Sequence, residues 1–243
     1  ASLKQKSDAV ILALGSYHHA ELALPGSSAQ GVIQGTEILR RLSESEPLGV
    51  GNRVVILGGG NVAIDVARSL WRMEKQVTIA YRREIEEMPA NTSEIEEAVA
   101  EGITFLFNVA PKEIVETKDG LSLVLEKLAL GPYDLSGRRG RTKTGATTTL
   151  GCDTVIIAIG ERVATSLLTS EGLETTKEGT LKVNPYLYAT NQEKVWAIGD
   201  VITGPSTAAE AMGQGKEVAR VIDRELMEVD RFKQLFSSFT YDM

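Results

Sequence analysis

The 243-residue chain has little of the chemistry that side chains alone can supply. It holds one cysteine, Cys152, and two histidines, the adjacent His18 and His19. One cysteine excludes an internal disulfide, a Cys-x-x-Cys redox pair and an iron–sulfur cluster borne by this chain. Two neighbouring histidines and a distant cysteine argue against a zinc site, and no metal ligand set is assigned. There is no excess of positive charge: 26 Lys and Arg stand against 33 Asp and Glu, a net charge of −7. That balance argues against a general nucleic-acid or anionic-membrane surface. Apolar runs such as Val155 to Ile159 fall far short of the roughly 18 residues that span a bilayer. The first residues lead straight into an apolar strand without a signal-peptide pattern, so a soluble cytoplasmic protein is expected. Aromatic residues are 5% while glycines number 23, a balance that suits a close-packed α/β sheet. With 42% hydrophobic residues the chain can form a core, and disorder is not expected.

What is present is a series of buried strands separated by helices. Asp8 to Leu14 (DAVILAL) reads as a strand buried on both faces of a parallel sheet, ending at Gly15. Residues 16–35 read as connection, Thr36 to Leu42 as a short helix, and Pro47 to Asn52 as a breaker cluster. Arg53 to Leu57 is a second buried strand. A helix from Asn61 to Met73 follows, with Val62, Ala63, Val66, Ala67, Leu70 and Met73 on one face. Gln76 to Tyr81 is the next strand. Ser93 to Glu96 forms a capping-box pattern that starts a helix ended by Gly102, and Asn91-Thr92-Ser93, a glycosylation-type triplet, reads better as part of a cap. Ile103 to Phe107 is a further strand. From Lys112 to Leu150, short β-type runs alternate with turns at Lys118 to Gly120 and Leu135 to Gly145, an antiparallel flap. Asp153 to Ile159 resumes the sheet, Val195 to Ile198 is a last short strand, and Thr207 to Met227 is a long helix. Asp8–Gly15 (DAVILALG) and Asp153–Gly160 (DTVIIAIG) echo each other, which suggests two related dinucleotide-type domains.

Gly58-Gly59-Gly60-Asn61-Val62-Ala63 fits G-x-G-x-x-A between a strand and a helix. The context matters because the bare string is weak. The first glycine permits the tight turn, the second lets a pyrophosphate approach the backbone, and Ala63 lets helix and strand pack closely. The helix N-terminus presents amides and a positive dipole end to phosphates. Gly213-Gln214-Gly215 is also G-x-G, but it lies inside a helix and is rejected.

An NAD site usually places an acid at the end of the second strand, to bond the ribose 2′-hydroxyl. Here that strand ends in Tyr81-Arg82-Arg83, and two guanidiniums suit a 2′-phosphate. NADP(H) is therefore preferred. The competing reading pairs these arginines with Glu84, Glu86 and Glu87 on a solvated turn.

A second candidate site follows the last strand. Gly199-Asp200 ends it, and Gly204-Pro205-Ser206-Thr207-Ala208 opens the long helix. An acid at a strand end can accept bonds from sugar or ribityl hydroxyls, and a helix N-terminus can hold the partial negative charge of a reduced flavin.

The order DAVILALG, GGGNVAIDVA, AYRRE…MPA, DTVIIAIG and AIGDVITGPSTAAEAMGQGKEVA resembles the small subunit of glutamate synthase and its relatives, including the flavin-containing part of dihydropyrimidine dehydrogenase. These belong to the flavoprotein superfamily with two dinucleotide-binding domains. The resemblance implies an α/β fold: a Rossmann-like NADP domain with an antiparallel β flap, inserted in a partial FAD-type domain. It implies a partial FAD-type domain and connection over 1–50, an NADP-binding domain over 51–160 and the C-terminal part of the FAD-type domain over 161–243. It places the NADP pyrophosphate on Gly58, Gly60, Asn61, Val62 and Ala63, and the 2′-phosphate on Arg82 and Arg83. Gly15 and Gly160 become chain crossings near the cofactors. Asp200, after Gly199, holds the FAD ribityl chain, and Thr207 and Ala208 face the flavin pyrimidine end. The FAD-side strand–GxGxxG–helix unit and the family's iron–sulfur cysteines have no counterpart in this sequence.

The function that follows is an NADPH-dependent flavin oxidoreductase, or a piece of one, passing hydride between NADP(H) and FAD. Electrons would go to or from an iron–sulfur segment or subunit, with a large catalytic subunit a further possible partner. No side-chain acid or base is required, so no catalytic residue is named. The alternative is an NADP(H)-binding module without turnover. A single-domain dehydrogenase is disfavoured by the lack of a Tyr-x-x-x-Lys pair. The basic stretch Gly137 to Lys143 reads as a solvated hairpin tip, Cys152 as a packing residue, His18-His19 as a polar connection, and Trp71 and Trp196 as core or interface.

Overall fold

The computed structural model describes residues 3–20, 22–133 and 139–227. In chain order its elements are α1 (Leu3–Lys6), β1 (Val10–Leu12), β2 (His18–His19), β3 (Val32–Gln34), α2 (Gly35–Ser43), β4 (Arg53–Leu57), α3 (Asn61–Arg72), β5 (Gln76–Ala80), a 3-10 turn at Ile85–Glu87, α4 (Thr92–Ala100), β6 (Thr104–Leu106), β7 (Val109–Thr117), β8 (Gly120–Tyr133), β9 (Arg139–Cys152), β10 (Thr154–Ile157), β11 (Glu161–Arg162), α5 (Thr165–Ser170), β12 (Val195–Ala197), α6 (Asp200–Thr203) and α7 (Ala208–Met227). The chain divides into two units, residues 20–160 and residues 1–19 with 161–243.

The 20–160 unit has three layers. Its centre is a parallel sheet of order β3-β10-β4-β5-β6. Strand side chains alternate between two faces, and both are buried here. Val54, Ile56, Val77, Ile79 and Ile156 meet Ile38 of α2, Ile64 and Leu70 of α3 and Ile95 of α4. Val55, Leu57, Ala80 and Val155 meet Ile114, Leu121, Leu123 and Leu125 of the second sheet. That sheet is the antiparallel meander β7-β8-β9. The expected flap therefore covers one whole face of the parallel sheet.

Several details depart from the sequence reading. Residues 32–34, read as connection, form β3, because pairing with β10 supplies acceptors and donors that local sequence cannot reveal. Residues 20–50 accordingly pack within this unit, where β3 and α2 join the sheet and α3. The helix after the 3-10 turn is capped by Asn91, whose Oδ1 accepts from the Ser93 amide at 3.3 Å, so it starts at Thr92 rather than at the Ser93 capping box. Residues 139–145, expected in a turn, are strand in β9, since they pair with β8 as far as Tyr133. The remainder of that expected turn, 135–138, lies outside the described residues. Met73 is exposed, while Ile64 joins Ala63, Val66, Ala67 and Leu70 on the buried face of α3.

The other unit is built on β1 and β12, a parallel pair in register Val10↔Val195 to Leu12↔Ala197. Val195 and Ala197 pack with Val163, Leu168, Leu181 and Val201, while Trp196 faces Val218 and Ile222 of α7. β1 is not buried on both faces: Ile11 is 45% exposed, because among the described residues the sheet has only one other strand. Along α7, Val218 and Ile222 are buried, whereas Met212 and Leu226 are exposed. His18 and His19 form β2, paired antiparallel with β11 rather than lying in irregular connection. No helix among the described residues is long and apolar enough to cross a membrane.

Candidate functional site

The strand–loop–helix unit of the larger body is built as its spacing implies. β4 ends at Leu57, and Gly58 turns the chain at φ +140°. A Cβ there would stand 2.1 Å from the Ala158 carbonyl oxygen, so both the conformation and the space require glycine. A Cβ on Gly59 would stand 2.6 Å from the Tyr81 ring. Gly60 differs. It is the N-cap of α3 at φ −89° and ψ 178°, and its Cβ direction meets nothing within 4 Å. The loop thus has one open side, where the α3 N-terminus begins. The amides of Asn61 and Val62, at the first two helical positions, have no intrahelical acceptor. Ala63 is fully buried, the close-packing role expected of a small residue. Gly35 contributes to the same packing without a sequence signal: a Cβ there would meet Val62 Cγ1 at 2.9 Å.

The segment after β5 is tied back onto this loop. The Ala90 amide donates to the Gly59 carbonyl at 3.3 Å, and the Asn91 amide donates to Asn61 Oδ1 at 2.9 Å. The Tyr81 hydroxyl donates to the Glu87 carbonyl at 2.9 Å. Burial pushes the Tyr81 phenol above its usual pKa, against the opposing pull of Arg83 and Arg82.

The two consecutive arginines have different environments. Arg82 is exposed and, among the described residues, makes no hydrogen bond or ion pair. Arg83 donates from Nη1 to Glu87 Oε1 at 2.8 Å. Glu87 also pairs with Arg141 of β9. Burial opposes ionisation of Glu87, but Arg83, the Glu84 amide and Arg141 outweigh it and hold the carboxyl below its usual pKa. The competing reading of the arginines is therefore half realised: Arg83 is paired with Glu87, and Arg82 is not.

In the smaller unit, Gly199 (φ +73°) and Gly204 (φ +78°) bracket the short helix α6. Asp200 begins that helix. Its Oδ1 accepts from the Ser206 amide at 3.2 Å, and its Oδ2 accepts from the buried Ser16 hydroxyl at 3.5 Å. A carboxylate has about four acceptor positions, so capacity remains for a hydroxyl donor. Thr207 Oγ1 accepts from the Glu210 amide at 3.2 Å, and Thr207 and Ala208 are both exposed. Gln214, inside α7 and so no part of a phosphate loop, accepts from the Gly199 amide at 2.6 Å. Gly15 has φ +68°, and Gly160, which closes the other unit, has φ +121°. Burial, with Asp200 nearby, raises the Glu161 pKa, and His19 opposes the shift.

Ser16, Asn108 and the contacts made by Gln214 and Arg141 carry no local sequence signal, whereas Glu87 is among the acids that the competing reading sets against the arginines, four residues from Arg83. Cys152 is fully buried, and burial pushes its thiol up to about 11, so it is a packing residue. Trp196 is buried, and Trp71 is partly exposed.

The family described as pyridine nucleotide-disulphide oxidoreductase matches residues 2–215. The chain is 37% identical over 232 residues to the NADP(+)-dependent formate dehydrogenase subunit beta of Moorella thermoacetica, covering 93% of this chain and 33% of that one. It is 31% identical over 238 residues to the glutamate synthase [NADPH] small chain of Halomonas elongata, covering 90% of this chain and 50% of that one. The chain thus spans between a third and a half of these relatives. Among solved structures, FprA from Mycobacterium tuberculosis superposes with a TM-score of 0.73 at 22% identity, over 96% of this chain and 66% of that one.

Proposed function

Because the chain belongs to the pyridine nucleotide-disulphide oxidoreductase family, we propose that it is the nucleotide-binding portion of an NADPH-dependent flavin oxidoreductase. The observation that carries this reading is the combination of an open glycine at the N-cap of α3 with an exposed guanidinium, Arg82, unpaired among the described residues, at the exit of the next strand. The amides of Asn61 and Val62 would hold the NADP pyrophosphate over Gly60, with Gly58 and Gly59 shaping the turn and Ala63 letting α3 pack close. Arg82 would take the 2′-phosphate, with Arg83 beside it. In the smaller unit, Asp200 would accept from ribityl hydroxyls of FAD. Thr207 and Ala208 would lie toward the flavin, and the left-handed glycines Gly15, Gly160 and Gly199 would turn the chain near the cofactors.

When bound, nicotinamide and flavin supply hydride exchange themselves. The chain's residues bind and orient them, and none is needed to move a proton. Electrons would pass to or from an iron–sulfur segment or subunit, since Cys152 is the only cysteine and is buried. The names "subunit beta" and "small chain" carried by the relatives support a partner, such as a large catalytic subunit.

The test is nucleotide preference. The chain is expected to bind NADPH much more tightly than NADH, and Arg82→Ala with Arg83→Ala is expected to abolish that preference. An unchanged preference would overturn the assignment. The alternative is a binding module without turnover, favoured by the β1–β12 pair, which has two strands among the described residues. A visible spectrum separates the two. Flavin bands near roughly 370 and 450 nm support the oxidoreductase. Colourless protein that binds NADPH but reduces no dye with added FAD supports the module.

A further inference from the structure

The exit of β5 carries more charge than its two consecutive arginines. Arg141 reaches it from β9, 54 residues beyond Glu87, with a side chain only 7% exposed. Its Nη2 pairs with Glu87 Oε2, and its Nε donates to Asn108 Oδ1 at 3.2 Å. Its Nη1 donates to the carbonyls of Arg139 and Gly140 at 3.1 and 3.2 Å. Asn108, held at φ +56°, donates its amide to the Arg83 carbonyl at 3.3 Å and accepts from the Leu128 amide at 2.8 Å. Arg83, Asn108, Arg141 and Glu87 therefore close a ring that fastens the flap to the strand exit. Glu84 is engaged by the Glu87 amide and Glu86 is exposed; among the described residues neither pairs with an arginine. Two guanidiniums, of Arg83 and Arg141, thus share one carboxylate, and Arg82 stands exposed next to Arg83.

We propose that Arg141 is a positioning residue for nucleotide selectivity. An acid at the end of the second strand is the feature that selects a ribose 2′-hydroxyl. Glu87 lies beyond the strand end, in the 3-10 turn, but its ion pair with Arg83 brings an acid to that exit. Arg141 shares Glu87 from the flap, so that Glu87 does not fully cancel Arg83 toward a 2′-phosphate. The flap is then part of the selectivity of the site as well as a cover for the sheet. This inference rests on the NADP(H) reading of the loop.

The experiment uses the full chain and two ligands that differ only in the 2′-phosphate, adenosine 2′,5′-bisphosphate and 5′-AMP, titrated by calorimetry. Arg141→Gln is expected to lower the affinity ratio about tenfold, ~1.4 kcal/mol. Adding Glu87→Gln removes the uncancelled acid and is expected to restore the ratio to within about threefold of wild type. A purely structural role predicts no restoration, because the double variant has lost both halves of the pair. Glu87→Gln alone is expected to hold or raise the ratio. If Arg141→Gln fails to fold by circular dichroism, this single variant decides, and a fall in its ratio overturns the proposal. An unchanged ratio in Arg141→Gln, or no rescue in the double variant, also overturns it. A wild-type ratio near one refutes the NADP(H) reading itself.

Discussion

Gly60→Ala separates what the phosphate loop needs for folding from what it needs for binding. The residue sits at φ −89°, ψ 178°, a conformation alanine adopts freely, and the new methyl meets nothing within 4 Å. Losing glycine's freedom in the unfolded chain stabilises by about 0.4–1 kcal/mol. Alanine is a poorer N-cap than glycine, a cost of comparable size. The two nearly cancel, so stability should move by less than about 1 kcal/mol, a shift of at most roughly 4 °C in Tm. The methyl would instead occupy the side from which a pyrophosphate reaches the amides of Asn61 and Val62. NADPH affinity is expected to fall at least about tenfold, ~1.4 kcal/mol. Gly58→Ala is the control, because its Cβ would lie 2.1 Å from a backbone carbonyl at φ +140°. That strain costs about 3 kcal/mol or more and should lower Tm by roughly 10 °C. The assays are differential scanning fluorimetry for the melt and calorimetry for NADPH. If Gly60→Ala melts like wild type and binds NADPH equally well, the loop does not cradle a pyrophosphate.

Leu70→Ala, at a fully buried position where α3 meets the sheet, should cost about 2–5 kcal/mol in urea unfolding, and a loss below about 1 kcal/mol would contradict the packing described. Glu101 is held down to about 2 by Arg68 and then Arg72, against a usual value of 4.5. Its contribution is therefore complete above about pH 4.5 and fades as the pH falls through about 2. Tm should drop across that window less steeply in Glu101→Gln than in wild type, and identical slopes would refute the linkage. Cys152, with its thiol raised to about 11 by burial, should resist iodoacetamide at pH near 8 until urea unfolds the protein, and rapid labelling of the native chain would refute its burial.

The parts of the fold legible in the sequence are those whose signals are local. β4, the three glycines and α3 combine a buried apolar run, a turn with demanding geometry and an amphipathic repeat, and all three agree. β3 was not legible. Val32–Gln34 is short and sits in a stretch rich in glycine and serine, and only its pairing with β10, more than a hundred residues later, makes it a strand. The burial of β1 falls short of what its apolar run implies, for the opposite reason. An apolar run reports what a strand could bury, whereas burial depends on neighbours, and Ile11 has too few among the described residues. The cap of α4 shows the same limit on a smaller scale. Asn91 and Ser93 are both good caps, and the bond between the Asn91 amide and Asn61 fixes where the chain turns.

The candidate site divides along the same line, and its charges show why. Arg82 and Arg83 are indistinguishable by type and both have an acid four residues on, Glu86 and Glu87 respectively. Spacing alone would pair both or neither. The structure pairs Arg83 with Glu87 and, among the described residues, leaves Arg82 without an ion pair. The difference lies in what else holds Glu87: Arg141 from the flap and the amide of Glu84 orient its carboxylate inward, while Glu86 has neither. A residue on a distant strand, Arg141, thus shares the carboxylate that Arg83 pairs with. Selectivity at such a strand exit depends on the charge left after internal pairing, and that residual charge depends on the flap as much as on the motif.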